Sequence, residues 1–190
     1  MCEDLTNIII PNSAEIIGDE AFSYCYKITN VTIPDSVTTI GYNAFNNCPA
    51  LNEIVVSENN QNYSSDSFGV LYNKDKTKLI QYPIGNERTE FVIPDSVTTV
   101  GDSAFEYCVE LTSVTIHNSV KAIEDSAFRA CDKLTTVTIG DGVTTIEDTA
   151  FLYCDSLTDV YYKGSEAQWQ QISIGSSNDY LTNATIHYNS

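Results

Sequence analysis

The 190-residue sequence contains little glycine or proline and very few basic residues. Glycine and proline number 9 and 5, too few for a collagen-like or low-complexity chain. Only 9 lysines and arginines stand against 26 aspartates and glutamates, so the formal net charge is −17. Because nucleic acids and anionic membrane surfaces are bound by clustered Lys and Arg, we expect neither as a partner.

The sequence also lacks long hydrophobic runs. No apolar stretch approaches the ~20 residues of a membrane-spanning helix, and no charged-then-apolar leader opens the chain. We therefore expect no membrane insertion. Hydrophobic residues still make up 42% of the chain, which is enough apolar material for a packed core.

The cysteines reveal an internal repeat. They follow a spacing of 23 residues in two groups of three: Cys2, Cys25 and Cys48, then Cys108, Cys131 and Cys154. Phenylalanines preceded by alanine keep the same register at Phe22, Phe45, Phe105, Phe128 and Phe151. The unit reads L-x-x-V-x-I-P-x-S-V-x-x-I-G-x-x-A-F-x-x-C. The 60 residues from Cys48 to Cys108 equal one such unit plus a longer one of 37.

Each part of the unit predicts a piece of one coil. Residues 111–116 end in alternating, β-branched residues, which predicts a short half-buried strand. The proline that commonly follows cannot donate to a β-ladder and ends the strand. The Ala-Phe-x-x-Cys stretch suits one tight turn with its apolar side chains inside. A 23-residue coil cannot enclose a core alone, but stacked coils can, so the sequence predicts a solenoid.

The wording of the unit, Ile-Pro-Asp-Ser-Val-Thr-Thr-Ile-Gly followed by Ala-Phe-x-x-Cys, resembles the BspA-like leucine-rich repeats of bacterial surface proteins. The resemblance implies a right-handed leucine-rich-repeat solenoid with a parallel β-sheet on one face and short 3₁₀ or irregular turns on the other. It also implies a non-enzymatic adhesion or recognition module, extracellular or on the cell surface, with no cofactor.

We expect a single solenoid over residues 1–190, in four segments. Residues 1–56 are regular repeats with the first one truncated, and residues 57–90 form the long unit, with a hairpin around 73–77. Residues 91–162 are regular repeats, and residues 163–190 form a C-terminal cap. Within that cap, Ser165 and Gln168 have the spacing of a capping box that opens a short helix through Trp169 to Ile172.

The beginning of the sequence carries no such cap. Cys2 already stands in the cysteine column, so we expect the chain to be a fragment of a longer protein. On this reading the first coil exposes its apolar end and provides a possible surface for self-association.

The cysteine pattern could suggest a zinc site, and one serine could suggest a catalytic nucleophile. Zinc sites need ligands two to four residues apart, which these cysteines are not. Stacked cysteines could lie within the distance that a disulfide bridges, but equivalent side chains in one column point in parallel, so we expect buried free thiols. Gly101-Asp102-Ser103 resembles the serine motif of some hydrolases. However, the same slots vary between repeats, and no histidine is placed to act as its base. We therefore expect Ser103 to be an ordinary surface residue and the protein not to be an enzyme.

Four aspartates share one column of the repeat: Asp19, Asp102, Asp125 and Asp148. Stacked carboxylates could bridge a calcium ion, but no Asp-x-Asp-x-Asp-Gly loop is present. A solvated acidic ridge is the favoured interpretation of this column, and calcium binding stays open as the alternative.

We expect binding on the outward face of the sheet and on the long unit, whose hairpin gathers three of the nine basic residues. The candidate residues are Glu53, Lys74, Lys76, Lys78, Glu90, Asp159 and Tyr161. The predicted partner is a protein or a glycan, and the predicted function is recognition or adhesion. The alternative is a structural spacer in a larger secreted or surface protein, with no ligand of its own.

Overall fold

The computed structural model describes residues 4–190. The cysteine-column position Cys2 therefore lies outside the described residues. The chain divides into two compact units that meet between Asn86 and Glu87. The regular coils of each unit carry one strand in each of two sheets, whereas the repeat predicts only one strand in each coil.

Within residues 4–86 the first unit contains eight strands. They are β1 Ile8–Ile9, β2 Ile16–Ile17, β3 Asn30–Ile33, β4 Thr39–Ile40, β5 Glu53–Val56, β6 Tyr63–Ser65, β7 Leu71–Asn73 and β8 Lys78–Gln81. Strands β1, β3 and β5 form one parallel sheet, and β2 and β4 form a second. Inside the first sheet Val31 and Ile33 are buried while Asn30 and Thr32 face outward. This alternation is the half-buried strand that the sequence predicts.

The long unit folds as a three-stranded antiparallel sheet in the order β6, β7, β8. The hairpin predicted around residues 73–77 is confirmed, and β6 is an additional strand. The hydroxyl of Tyr63 accepts the backbone N–H of Ile40 at 2.9 Å. Nearby, the buried amide of Asn60 donates to the carbonyl oxygens of Pro34 at 2.7 Å and Val37 at 3.0 Å. Side chains of the long unit thus satisfy backbone groups of the preceding coil.

The second unit contains nine strands and two short helices. They are β9 Glu90–Val92, β10 Thr99–Val100, β11 Ser113–Ile116, β12 Ala122–Ile123, β13 Thr136–Ile139, β14 Thr145–Ile146, β15 Asp159–Tyr162, α1 Glu166–Trp169, β16 Ser173–Ile174, α2 Asp179–Thr182 and β17 Thr185–Tyr188. Strands β9, β11, β13, β15 and β17 form a parallel sheet, here called the wide sheet. Strands β10, β12, β14 and β16 form a second parallel sheet. The first four coils of this unit therefore contribute one strand to each sheet. The solenoid with a parallel sheet is the predicted fold, whereas the second sheet is an addition that the sequence did not predict.

The Ala-Phe-x-x-Cys stretches form turns rather than 3₁₀-helix, so the irregular alternative of the predicted fold is the one adopted. The residue before the alanine and the residue before the cysteine are both left-handed although neither is glycine, for example Ser103 at φ 51° and Tyr107 at φ 61°. Their backbone N–H groups donate to the next coil, at Asp125 (3.0 Å) and Arg129 (2.9 Å). We call this part of each unit the turn face, and its backbone forms a ladder of its own.

The core of the second unit is a stack of phenylalanines. The ring of Phe128 lies 4.8 Å from that of Phe105 and 5.0 Å from that of Phe151, and both pairs are nearly parallel. The five described cysteines are buried thiols, as predicted. Ser103 is also buried, so the expectation that it lies on the surface is wrong. Ser103 lies within the turn, where its backbone N–H donates to the carbonyl oxygen of Asp125.

Residues 163–190 extend both sheets of the second unit by one strand each, since β16 pairs with β14 and β17 pairs with β15. The predicted capping box is confirmed, because Ser165 and Gln168 exchange both hydrogen bonds. Helix α1 ends at Trp169, earlier than predicted. The Trp169 ring packs edge-on against Tyr162 at 5.2 Å.

Candidate functional site

The outward face of the wide sheet carries two columns of side chains. The registers of the parallel strands place Glu90, Ser113, Thr136, Asp159 and Thr185 in one column, and Val92, Thr115, Thr138, Tyr161 and His187 in the other. Their inward neighbours, such as Val114 and Val137, are fully buried. The middle of this face is small, β-branched and hydroxylated, as the sequence predicts.

A threonine ladder borders this face just before the strands begin. The hydroxyl of Thr112 donates to the carbonyl oxygen of Thr89 at 3.0 Å, and that of Thr135 donates to Thr112 at 3.0 Å. The hydroxyl of Thr158 continues the pattern to Thr135 at 3.4 Å. These bonds tie each coil to the previous one and make the surface rigid.

The two columns end in a polar aromatic cluster formed by three residues. The imidazole of His187 stacks on the ring of Tyr161, with centroids 4.6 Å apart and planes 12° apart. Nε2 of His187 lies 2.7 Å from Oδ1 of Asp159. We call Asp159, Tyr161 and His187 the aromatic cluster. It combines a planar ring system, a carboxylate and an imidazole on one exposed surface.

The carboxylate of Asp159 is held ionised by its neighbours. The hydrogen bond from His187 lowers the pKa of Asp159, and a second bond, from the Thr158 hydroxyl at 2.8 Å, lowers it further. Because ionised groups form the stronger hydrogen bonds, this arrangement fixes the orientation of the imidazole.

The strand register explains how the aromatic cluster forms and which of its residues the sequence did not predict. Asp159 and Tyr161 were predicted as site residues, and the structure brings them to the same cluster. His187 was not predicted. It stands opposite Tyr161 in the parallel pair β15–β17, but 26 residues separate the two instead of 23. The signal that could have identified His187 is the alternating pattern of outward and inward residues in Thr185–Tyr188, which aligns with that of Asp159–Tyr162.

Two predicted acidic residues lie apart from this cluster. Glu53 begins β5 in the first unit, and Glu90 begins β9 in the second; both are exposed. The backbone beside Glu53 is closely approached by Gly69, which has a φ of 74°. A Cβ on that glycine would come within 2.5 Å of Cα of Glu53. Only glycine fits there, so the connection between β6 and β7 packs directly against the β5 strand.

The lysines of the long unit are engaged in contacts within the unit. Nζ of Lys74 donates to the carbonyl oxygens of Asn60 and, at 3.5 Å, Glu58. Nζ of Lys76 lies 5.8 Å from the centre of the Tyr72 ring. Lys78 is partly buried in β8. The contacts of Lys74 and Lys76 are therefore made within the long unit and do not direct the two charges towards one shared site.

The aspartate column satisfies backbone groups of neighbouring coils. Oδ1 of Asp19 accepts the N–H of Tyr42 at 2.8 Å, and Oδ1 of Asp148 accepts that of Ser176 at 2.6 Å. Asp125 accepts bonds from two hydroxyls instead. Across residues 4–190 no group of three or more His, Cys, Asp or Glu side chains is arranged to hold a metal ion. The calcium alternative gains no support from this geometry.

Within the described part of the chain, no helix has both the length and the apolar character required to cross a bilayer.

Comparison with solved structures gives several similar proteins. A leucine-rich repeat protein from Eubacterium ventriosum is 35% identical with a TM-score of 0.72, over 83% of this chain and 41% of that protein. A leucine rich cell surface protein from Faecalibacterium prausnitzii is 30% identical with a TM-score of 0.55, over 86% of this chain and 55% of that one. The pneumococcal vaccine antigen PcpA shares the fold at 17% identity, with a TM-score of 0.60, over 93% of this chain and 58% of its own length.

The chain thus spans about half the length of these relatives or less. No curated protein matches the sequence. The family model for the BspA type leucine rich repeat region matches six copies over residues 1–83 and 84–189. Together with the coils and the turn ladder described above, this match shows that the chain belongs to the BspA-type leucine-rich repeat family.

Proposed function

We propose that this chain is a non-enzymatic recognition module of an extracellular or cell-surface protein, and that it binds protein or glycan through the outward face of the wide sheet. The aromatic cluster is the observation that carries the proposal. Binding hot spots are enriched in aromatic residues that stand on a rigid support. Tyr161 is 36% exposed and braced from one side by His187.

The chemistry of the cluster suits both predicted ligand classes. A planar ring beside a carboxylate offers a stacking surface together with a hydrogen-bond acceptor, which suits either a sugar ring or a polar peptide. The threonine-rich middle of the sheet adds an uncharged surface that the threonine ladder makes rigid. The surface location is supported by the family and by the Faecalibacterium relative, whose name describes it as a cell surface protein.

The experiment is a binding screen of the purified chain against a glycan array and a panel of host-surface proteins, followed by affinity measurements. Tyr161→Ala should weaken binding to any ligand found by about tenfold or more, because hot-spot truncations cost ~2 kcal/mol or more. Val92→Ala is the matched control. Val92 stands in the same outward column and is 57% exposed, but it has no aromatic or charged partner in the cluster.

The alternative function is a structural spacer. The regular threonine ladder supports it, because a rigid stack of coils can separate other modules without any ligand of its own. A spacer should show no saturable binding in the screen, and equal affinities in Tyr161→Ala and Val92→Ala would also favour it. Losses confined to Tyr161→Ala would favour recognition.

A further inference from the structure

The turn face of the second unit presents a row of three tyrosines and one arginine: Tyr107, Arg129, Tyr153 and Tyr180. We call it the tyrosine–arginine row. Cζ of Arg129 lies 5.7 Å from the ring centres of both Tyr107 and Tyr153. The ring of Tyr180 meets that of Tyr153 at 6.4 Å and 62°. The guanidinium thus joins tyrosines from the coils on either side of its own.

The repeat explains how these side chains come together. Tyr107, Ala130 and Tyr153 occupy the same slot in three consecutive coils, with left-handed φ values of 61°, 56° and 60°. The small side chain of Ala130 leaves a gap between the two tyrosines. Arg129, the residue before it, fills that gap. The row therefore depends on one alanine that stands between two tyrosines in this slot of the second unit.

The charge of Arg129 is compensated within the protein. Its guanidinium forms an ion pair with Glu106, whose side chain is only 5% exposed, whereas that of Arg129 is 31% exposed. The hydrogen bond to Glu106 raises the pKa of Arg129, although partial burial opposes this effect. Because a buried carboxylate needs its partner, this guanidinium supports the rings and is not available to bind an external anion.

The surface beside the row is negatively charged. Asp132 and Asp155 follow the cysteines of consecutive coils, and both are exposed. The hydroxyl of Tyr180 is hydrogen-bonded to Asp155, which raises the pKa of this tyrosine. The nearby Lys133 is paired with Glu110 at 2.9 Å. The row thus offers exposed aromatic surface with two adjacent carboxylates whose charge no described cation neutralises.

We propose that the tyrosine–arginine row binds a cationic peptide segment of a protein partner. A lysine or arginine side chain of that segment lies on the exposed ring of Tyr153 and pairs with Asp132 or Asp155. Cations are attracted to tyrosine faces, and Tyr153 is 48% exposed. The net charge of −17 attracts such a segment from a distance. A neutral glycan could stack on the same rings, but it would gain nothing from this long-range attraction.

This proposal is independent of the wide sheet. Three members of the row lie on turns that precede strands of that sheet, and Tyr180 lies in α2, before β17. The row shares no residue with the aromatic cluster. Failure of binding at Tyr161 therefore leaves the tyrosine–arginine row untouched, and the converse also holds.

The test uses a fluorescein-labelled peptide of alternating arginine and glycine, followed by fluorescence anisotropy at physiological salt. Saturable binding is expected, and Tyr153→Leu should weaken it by about three- to tenfold through loss of the cation–π contact. Tyr24→Leu is the matched control. Tyr24 occupies the same slot in the first unit, has a φ of 60° and is 44% exposed. Thermal melts of both variants verify that they are folded.

A second pair of variants tests the carboxylates without altering the rings. Asp132→Lys should weaken binding more than Asp35→Lys, an equal change of charge at an exposed position of the first unit. A peptide with glutamine in place of arginine should not bind. Equal losses at positions 153 and 24, or at 132 and 35, would show general attraction between opposite charges and overturn the proposal. Undiminished binding of the glutamine peptide, or glycan binding that depends on Tyr153 without peptide binding, would overturn it as well.

Discussion

The thiol of Cys154 donates a hydrogen bond to the carbonyl oxygen of Phe128, 3.1 Å away and one coil earlier in the chain. Cys131 makes the same bond to Phe105 at 3.1 Å. The sulfur atoms are therefore directed at the backbone of the preceding coil, where each thiol gives a second hydrogen bond to a carbonyl oxygen that already accepts a backbone N–H. The cysteine column serves as a hydrogen-bonded part of the core.

Ionisation of these thiols should destabilise the protein at alkaline pH. Burial raises the pKa of Cys154 to about 12, and burial also raises the pKa of Cys108 and Cys131 above the ordinary range. Unfolded thiols ionise near pH 8.5, so stability is fully present below that pH and falls above it. Each thiol should contribute a slope of about 1.4 kcal/mol per pH unit.

Urea unfolding at pH 8, 9 and 10 with a reductant measures this slope. If the three thiols contribute equally, Cys154→Ala should remove about a third of their share of the pH dependence of the free energy of unfolding. An unchanged pH dependence would contradict the explanation. In native protein at neutral pH, a thiol reagent should react very slowly with all five described cysteines.

The repeat made much of this fold predictable from the sequence. Strand alternation, the hairpin and the buried cysteines follow from residue type and spacing alone. The turn conformation did not, because the left-handed slots hold residues such as Tyr153 and Ala130 in place of the glycine that usually marks them. The tyrosine–arginine row was not predicted from the sequence for a related reason. It depends on Arg129 reaching between adjacent coils, which no single repeat reveals.

The phenylalanine stack should carry a large share of the stability of the second unit. Phe128 is fully buried between two parallel rings, so Phe128→Ala should lower the free energy of unfolding by about 3–5 kcal/mol through the cavity that it leaves. Phe22 is only partly buried and stacks on a single ring, that of Phe45, at 5.7 Å. Phe22→Ala should therefore cost clearly less in chemical denaturation, and equal costs would contradict this account.

Glycine should be tolerated in a left-handed slot where the side chain contributes little. Ala130 has a φ of 56°, a conformation that costs a non-glycine residue about 1–2 kcal/mol. Glycine removes this cost but has more freedom to lose on folding. Ala130→Gly should thus change the free energy of unfolding by less than about 1 kcal/mol, in the stabilising direction. Ala127→Gly is the control, because Ala127 is fully buried and has no positive φ. It should be destabilising in the same denaturation assay.

The lysines of the hairpin should differ from one another in their effect on stability. Lys74→Gln removes bonds from an ammonium group to two backbone carbonyls and should cost about 1 kcal/mol. Lys76→Gln removes only a partly exposed cation–π contact and should cost about half as much or less. Thermal melts of the two single variants make the comparison. Identical melting temperatures would mean that the Lys74 contacts do not hold the hairpin.

The carboxylate of Asp159 should report directly on His187. Because the His187 hydrogen bond is the largest cause of the lowered pKa of Asp159, His187→Ala should raise that pKa towards the ordinary value of about 3.9. A carboxylate with a depressed pKa stabilises the folded state above its unfolded pKa, and this contribution is lost as the pH falls through the folded value.

Carbon-13 NMR titration of the aspartate carboxyl groups between pH 2 and 6 measures the shift. His117→Ala is the matched control, since His117 pairs with Asp95 instead. If the Asp159 titration moves equally in both variants, the aromatic cluster does not hold the imidazole in place, and Tyr161 then loses the brace on which its proposed role in recognition depends.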